Sequence, residues 1–161
     1  MKLIPKRKRI VPKGSSTSLQ DVINDMSVGI ANVTITTEKT VSSEAGIEFV
    51  IDEGGSVLSA GVKGYLSVPF NCTITAAELL ASPSGSIIVD IWSDILGSFP
   101  PTDADSITGG SPPTIAVGST FFVAAPATWI RELKKYRNLA FNVDSCSTIT
   151  RCTVTLYVKR T

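Results

Sequence analysis

The alternation of apolar and polar positions carries most of what the chain says about its fold. In "SLQDVINDMSVGI" Leu19, Val22, Ile23, Met26 and Ile30 recur at helical spacing, with Ser18 placed as an N-cap and Asp21 in the first turn. The spacing predicts a short amphipathic helix that needs a partner surface. From "NVTITTEKTV" onward the period changes to two. Val33 and Ile35 alternate with threonines, and in "GIEFVID" Ile47, Phe49 and Ile51 alternate with Glu48, Val50 and Asp52. "DEGGS" then reads as a turn. "GVKGYLSVPFNCTITAAELLA" carries two strand-like runs around Pro69, where a proline marks an edge or a kink, and "GSIIVDIWSDI" is a further strand.

A long loop at about 97–118 contains "FPPTDADSITGGSPPT", whose two proline pairs and glycine pair predict a partly rigid, non-helical segment. "STFFVAA" resumes strand character. In "ATWIRELKKYRN" the residues Trp129, Ile130, Leu133 and Tyr136 fit one helical face, which predicts a short helix or a turn. The chain closes with "LAFNVDS" and "TITRCTVTLYVKR", two runs flanking a polar turn, which read as a hairpin. Seven or eight short antiparallel strands predict an all-β fold, a jelly-roll-like β-sandwich over 46–161. A basic arm at 1–17 and a helix with a linker strand at 18–45 precede it.

Composition agrees with this reading: hydrophobic residues make up 43% and charged ones 18%, and Ser, Thr, Gly and Pro interrupt almost every apolar run. The net charge of +1 conceals an asymmetry. Lys2, Lys6, Arg7, Lys8, Arg9 and Lys13 are six positives without an acid, and the rest of the chain carries 9 basic against 14 acidic groups. The tract Lys6–Arg9 is therefore the candidate docking arm, suited to an acidic protein surface or, as the alternative, to nucleic acid. No apolar run approaches the ~20 residues of a bilayer span, and the first residues lack the apolar centre of a secretory signal, so no membrane insertion and no export are expected. Cys72, Cys146 and Cys152 lack metal-ligand spacing. Cys72 and Cys152 alternate in phase with apolar neighbours and read as buried, reduced residues, although Cys146 and Cys152 bracket a turn and could pair.

Candidate chemistry concentrates at 85–109. In "SIIVDIWSDI" the residues Ile87, Val89, Ile91 and Ile95 share one face, and Asp90, Trp92 and Asp94 the other. An Asp-x-Trp-x-Asp face can bind a sugar, the ring stacking on indole while carboxylates accept hydroxyl hydrogen bonds. The plainer expectation is an exposed sheet face and display loop. A glycan hydrolase using Asp90 or Asp94 is a further alternative. The order "DADS" does not match a calcium loop, the absence of histidine excludes Ser-His-Asp and Cys-His centres, and no phosphate-cradling glycine loop occurs. No metal, cofactor or catalytic residue is expected, and the chain is read as not an enzyme.

The segments "IEFVIDEGGSVLSAGVKGYLSVPFNCTIT", "GSIIVDIWSD", "FPPTDADSITG", "LAFNVDS" and "TITRCTVTLYVKRT", in that order, resemble the C-terminal domain found on many tailed-bacteriophage tail-fibre and other virion structural proteins. The resemblance covers roughly 46–161. It implies a β-sandwich exposed on a virion, often as a homotrimer, for host attachment or capsid decoration, with virion proteins of capsid, collar or tail and a host-surface glycan as partners. The chain departs from the pattern at "YRN" (136–138), where such domains have a Gly-Asp turn, and in "STFFVAAPATWIRELKKY". Its N-terminal 45 residues contain no collagen-like repeat or heptad run.

Overall fold

A computed structural model describes residues 43–161 of the chain. The basic arm, the helix at 18–30 and the strand around Val33–Ile35 lie outside the described residues. The described part is all-β and antiparallel. Its strands are β1 (Glu44–Asp52), β2 (Gly61–Ser67), β3 (Cys72–Asp94), β4 (Thr114–Ala124), β5 (Glu132–Leu133), β6 (Asn138–Ser147) and β7 (Arg151–Arg160).

The sheet order is β1-β7-β3-β6-β2, with β4 and β5 also paired to β3. Everything turns on β3, because the two runs expected as separate strands are one 23-residue element. Its first half pairs β7 from Cys72↔Arg160 to Ser82↔Arg151, and its second half pairs β6 from Ser86↔Ser147 to Asp94↔Asn138. Between them the chain bends through Pro83 and Gly85, where the β3–β4 register shifts. A Cβ on Gly85 would lie 2.2 Å from the Ser147 carbonyl oxygen, so the close crossing there requires glycine.

The bend curls the sheet into a sandwich-like arrangement with the apolar positions inside. Phe49 of β1 and Phe141 of β6, on strands that are not neighbours in the sheet, stack with centroids 4.4 Å apart and an interplanar angle of 3°. Ile47, Ile51, Leu79 and Val154 from one half meet Val89, Ile91, Phe141 and Val143 from the other in one core. The period-two reading of 47, 49 and 51 therefore places the correct face inward. Each fully buried side chain of this kind contributes about 1.5–3 kcal/mol. Cys72 and Cys152 are buried as expected, and all three cysteines are free thiols.

Three expectations need correction. The closing strands are not a hairpin: β6 and β7 are joined by a short turn, yet each pairs with a different half of β3. The connection follows the β3 bend instead, with Thr148 Oγ1 donating to the Ser84 carbonyl at 2.8 Å and the Thr150 N–H to the Ser82 carbonyl at 3.0 Å. Of the helix or turn expected at 127–138, the chain forms turns at 127–128 and 135–136 and no helix. Trp129 and Leu133 are buried, while Ile130 and Tyr136 are 60% and 62% exposed, so the four do not share a face. Extended backbone wins because the Ile74 N–H bonds to the Arg131 carbonyl, at 2.8 Å, and β5 pairs with Cys72 and Thr73. Finally, the loop after β3 is not wholly non-helical, since it holds single 3-10 turns at Leu96–Ser98 and Asp103–Asp105.

Candidate functional site

The second half of β3 carries the residues singled out from the sequence, and strand geometry puts Asp90, Trp92 and Asp94 on its outer side. They are not displayed. Asp90 is 7% and Trp92 9% exposed, and only Asp94 remains partly open. The cause is the loop 95–113, which returns along the edge of β3. It makes an isolated bridge between Ser106 and Trp92, and the Ile107 N–H bonds to the Ile91 carbonyl at 2.9 Å. Tyr65, Ala140 and Trp92 lie in register across β2, β6 and β3. Phe99 of the loop meets Tyr65 edge-on at 4.8 Å, so the loop passes over this row of residues.

Asp90 is the centre of the arrangement. Its Oδ1 accepts from the Ile91 N–H at 2.8 Å, Ser106 Oγ at 2.9 Å and Thr108 Oγ1 at 2.6 Å, while Oδ2 accepts from Trp92 Nε1 at 2.8 Å. These four donors, with burial, take up most of the capacity through which the carboxylate would hold a sugar hydroxyl or a metal ion. The Trp92 ring is unavailable for stacking for the same reason: its N–H is fixed on Asp90 and the loop covers it. Asp94 turns back on its own strand end, accepting the Ile95 N–H at 2.6 Å. The structure thus brings Asp90 and Trp92 together, leaves Asp94 apart, and corrects the expectation of an Asp90, Trp92, Asp94 receptor face.

The loop is a built piece of structure. Thr102 and Asp105 form a reciprocal capping box, with the Asp105 carboxylate accepting the Thr102 N–H at 2.8 Å and its hydroxyl at 2.9 Å. Those bonds hold the Asp105 carboxyl below the usual range, with the Thr102 N–H the larger cause. Ile107 is 1% exposed and plugs the core. Trp129 Nε1 donates to the Ser111 carbonyl at 3.1 Å, tying the loop's far side to the segment before β5. Sequence reading missed Ser106 and Thr108 as the partners of Asp90. The signal was present as T-x-x-D at 102–105, which marks a tight turn returning toward the strand.

Two depressions lie near the β3 bend. One of about 330 Å³ is lined by Leu80, Ser82, Thr120, Arg151 and Thr153 among others, and one of about 220 Å³ by Asp52, Gly55, Ser82, Thr150 and Arg151. The charged groups between them are an ion pair, Arg151 Nε donating to Asp52 Oδ2 at 2.6 Å. That bond, with the Gly54 N–H, lowers the Asp52 carboxyl below its ordinary value. The thiols lack activation: burial raises all three, and Cys152 is pushed up to about 12 by burial and then by the neighbouring Cys146. No group of three Asp, Glu, Cys or His side chains among the described residues is placed to hold a metal ion, and no helix among them is long and apolar enough to cross a membrane. No family model, curated protein or solved structure matches the chain.

Proposed function

We propose that the protein is an accessory structural component of a bacteriophage virion, a β-sandwich knob held on the particle through the arm around Lys6, Arg7, Lys8 and Arg9. As a tail-fibre or receptor-binding module it meets the host surface; as a head-decoration module it covers the capsid. The observation that supports a structural role is the latched loop. The hydroxyls of Ser106 and Thr108, both on the buried Asp90 carboxylate, fix the surface loop to the sheet, which stiffens a display surface. Assembly as a homotrimer would present several arms to one docking site and raise their effective concentration there.

With Asp90 and Trp92 covered, contact with a host-surface glycan falls to the outer side of the loop, where Ile95, Leu96 and Phe99 are 54%, 70% and 52% exposed. The test is the copy number of this chain in purified particles, by quantitative mass spectrometry against the major capsid protein. A ratio near the capsid's own assigns decoration, and a few copies per particle assign a tail or collar position. Absence from particles refutes the proposal.

A further inference from the structure

The distribution of cations over the sandwich is one-sided. Residues 43–161 contain eight cationic and eleven acidic side chains. Three of the eight are committed inside the body: Lys63 to Glu53, Arg151 to Asp52, and Arg137 to the hydroxyl and carbonyl of Ser93 at 2.9 and 2.7 Å. The other five, Arg131, Lys134, Lys135, Lys159 and Arg160, are all exposed and make no ion pair among the described residues.

Register gathers these five at one end. Lys159 and Arg160 of β7 stand opposite Thr73 and Cys72 on one side of β3, and Glu132 and Leu133 of β5 stand opposite the same two residues on the other. Arg131 and Lys134 flank β5 directly. Two inter-strand spacings, about 10 Å, therefore separate the two basic rows. The acids at this end are Glu132 and Glu44, the latter opposite Lys159.

The turn that carries the lysines is held in shape. The Lys135 N–H donates to Asn71 Oδ1 at 2.9 Å and the Tyr136 N–H to the Val68 carbonyl at 2.8 Å. Tyr136 itself sits at φ 69°, a left-handed conformation that a tyrosine rarely adopts and that the surrounding bonds must maintain. Lys135 lies over the Tyr136 ring at 4.6 Å and Arg160 over Phe70 at 4.3 Å. Each ring holds its cation in place through a cation–π contact.

We infer that this basic end docks on a compact acidic surface of another protein. Two observations favour that partner over nucleic acid. Tyr136 and Phe70 each carry a cation over one ring face, and two such rings make a smaller stacking platform than a single strand uses. The rest of the body is acidic and repels a long polyanion that extends beyond the patch, whereas a local cluster of carboxylates meets the five cations and only the two acids Glu132 and Glu44 among them. The inference concerns the described body alone and does not depend on the particle to which the protein belongs.

The experiment uses the full chain and fluorescent poly-L-glutamate as the acidic probe, with an oligo(dT) of matched charge beside it, in about 50 mM salt where screening is weak. The triple variant Lys134→Gln, Lys135→Gln, Arg160→Gln should melt as the wild type does and lose about tenfold in poly-glutamate affinity. The arm variant Lys6→Gln, Arg7→Gln, Lys8→Gln, Arg9→Gln, combined with the triple variant, separates the arm's share. Should the triple variant melt early, the pair Lys134→Gln and Lys159→Gln replaces it. Unchanged poly-glutamate binding in a folded variant overturns the inference. So does oligo(dT) binding that is tighter than poly-glutamate binding and lost in the same variant, which would make the partner a nucleic acid.

Discussion

Replacing Asp90 with alanine should destabilise the sandwich by about 2–5 kcal/mol, and the figure follows from which donors are orphaned. Ser106 and Thr108 lose an acceptor, but their hydroxyl oxygens are 3.2 Å apart and can bond each other, so they recover part of the loss. The Trp92 Nε1 and the Ile91 N–H have no such recourse in a site that is less than a tenth exposed. Each unsatisfied buried donor costs about 1–3 kcal/mol. Asp90→Asn keeps one acceptor oxygen and sets an amide N–H₂ against another donor, so it should lose roughly half as much. The assay is urea unfolding followed by far-UV circular dichroism and by tryptophan fluorescence, with Asp94→Ala as the control. Asp94 bonds only the exposed N–H of Ile95, and its loss should stay within about 0.5 kcal/mol. If Asp90→Ala changes stability by less than about 0.5 kcal/mol with native tryptophan emission, the latch does not hold the loop.

Other consequences are as direct. Lys63, then the hydroxyl and N–H of Ser59, hold the Glu53 carboxyl at about 2, below its ordinary 4.5. Its stabilising contribution is therefore complete above pH 4.5 and lost as pH falls through about 2; Glu53→Gln should flatten the decline in thermal midpoint over that window, and an unaltered slope would count against the pair. Gly85→Ala should destabilise strongly, since its Cβ would meet backbone at 2.2 Å, and a melting curve identical to wild type would show the bend free to open. Cys152, at 0% exposure with its thiol raised to about 12, should resist iodoacetamide at neutral pH until the protein unfolds, as peptide mapping of the labelled sites will show. Because β3 belongs to both halves of the sheet, circular dichroism and the fluorescence of Trp92 and Trp129 should report one coincident transition; separate midpoints would mean the halves unfold independently.

Much of the fold was legible because strand burial has a period of two. Ile47 and Ile51, Ile87 through Ile91, and Val154 through Val158 announce their inward faces without any knowledge of partners. What alternation does not carry is which strand lies beside which. "LAFNVDS" and "TITRCTVTLYVKR" have the signature of a hairpin because they flank a polar turn, and nothing local records that Ser82 and Ser84, more than sixty residues away, take the hydrogen bonds of that turn. Trp129 and Leu133 likewise reach the core from a short extended segment, and four apolar residues at suggestive intervals imitate a helix.

The same limitation explains the misread face of Asp90 and Trp92. Alternation assigns residues to the side of a strand away from the core, and solvent is then the default occupant of that side. Here the occupant is the chain's own loop. The polar residues that suited a sugar suit it equally well, because a carboxylate that can accept sugar hydroxyls can accept those of Ser106 and Thr108. An Asp-x-Trp pair on an outer strand face is thus a statement about hydrogen-bonding capacity, and the identity of the donor is decided by whatever returns to cover the strand. In this protein a capping box at Thr102–Asp105, followed immediately by two hydroxyls and a buried isoleucine, directs the return, so the covering loop is encoded in the segment after the strand.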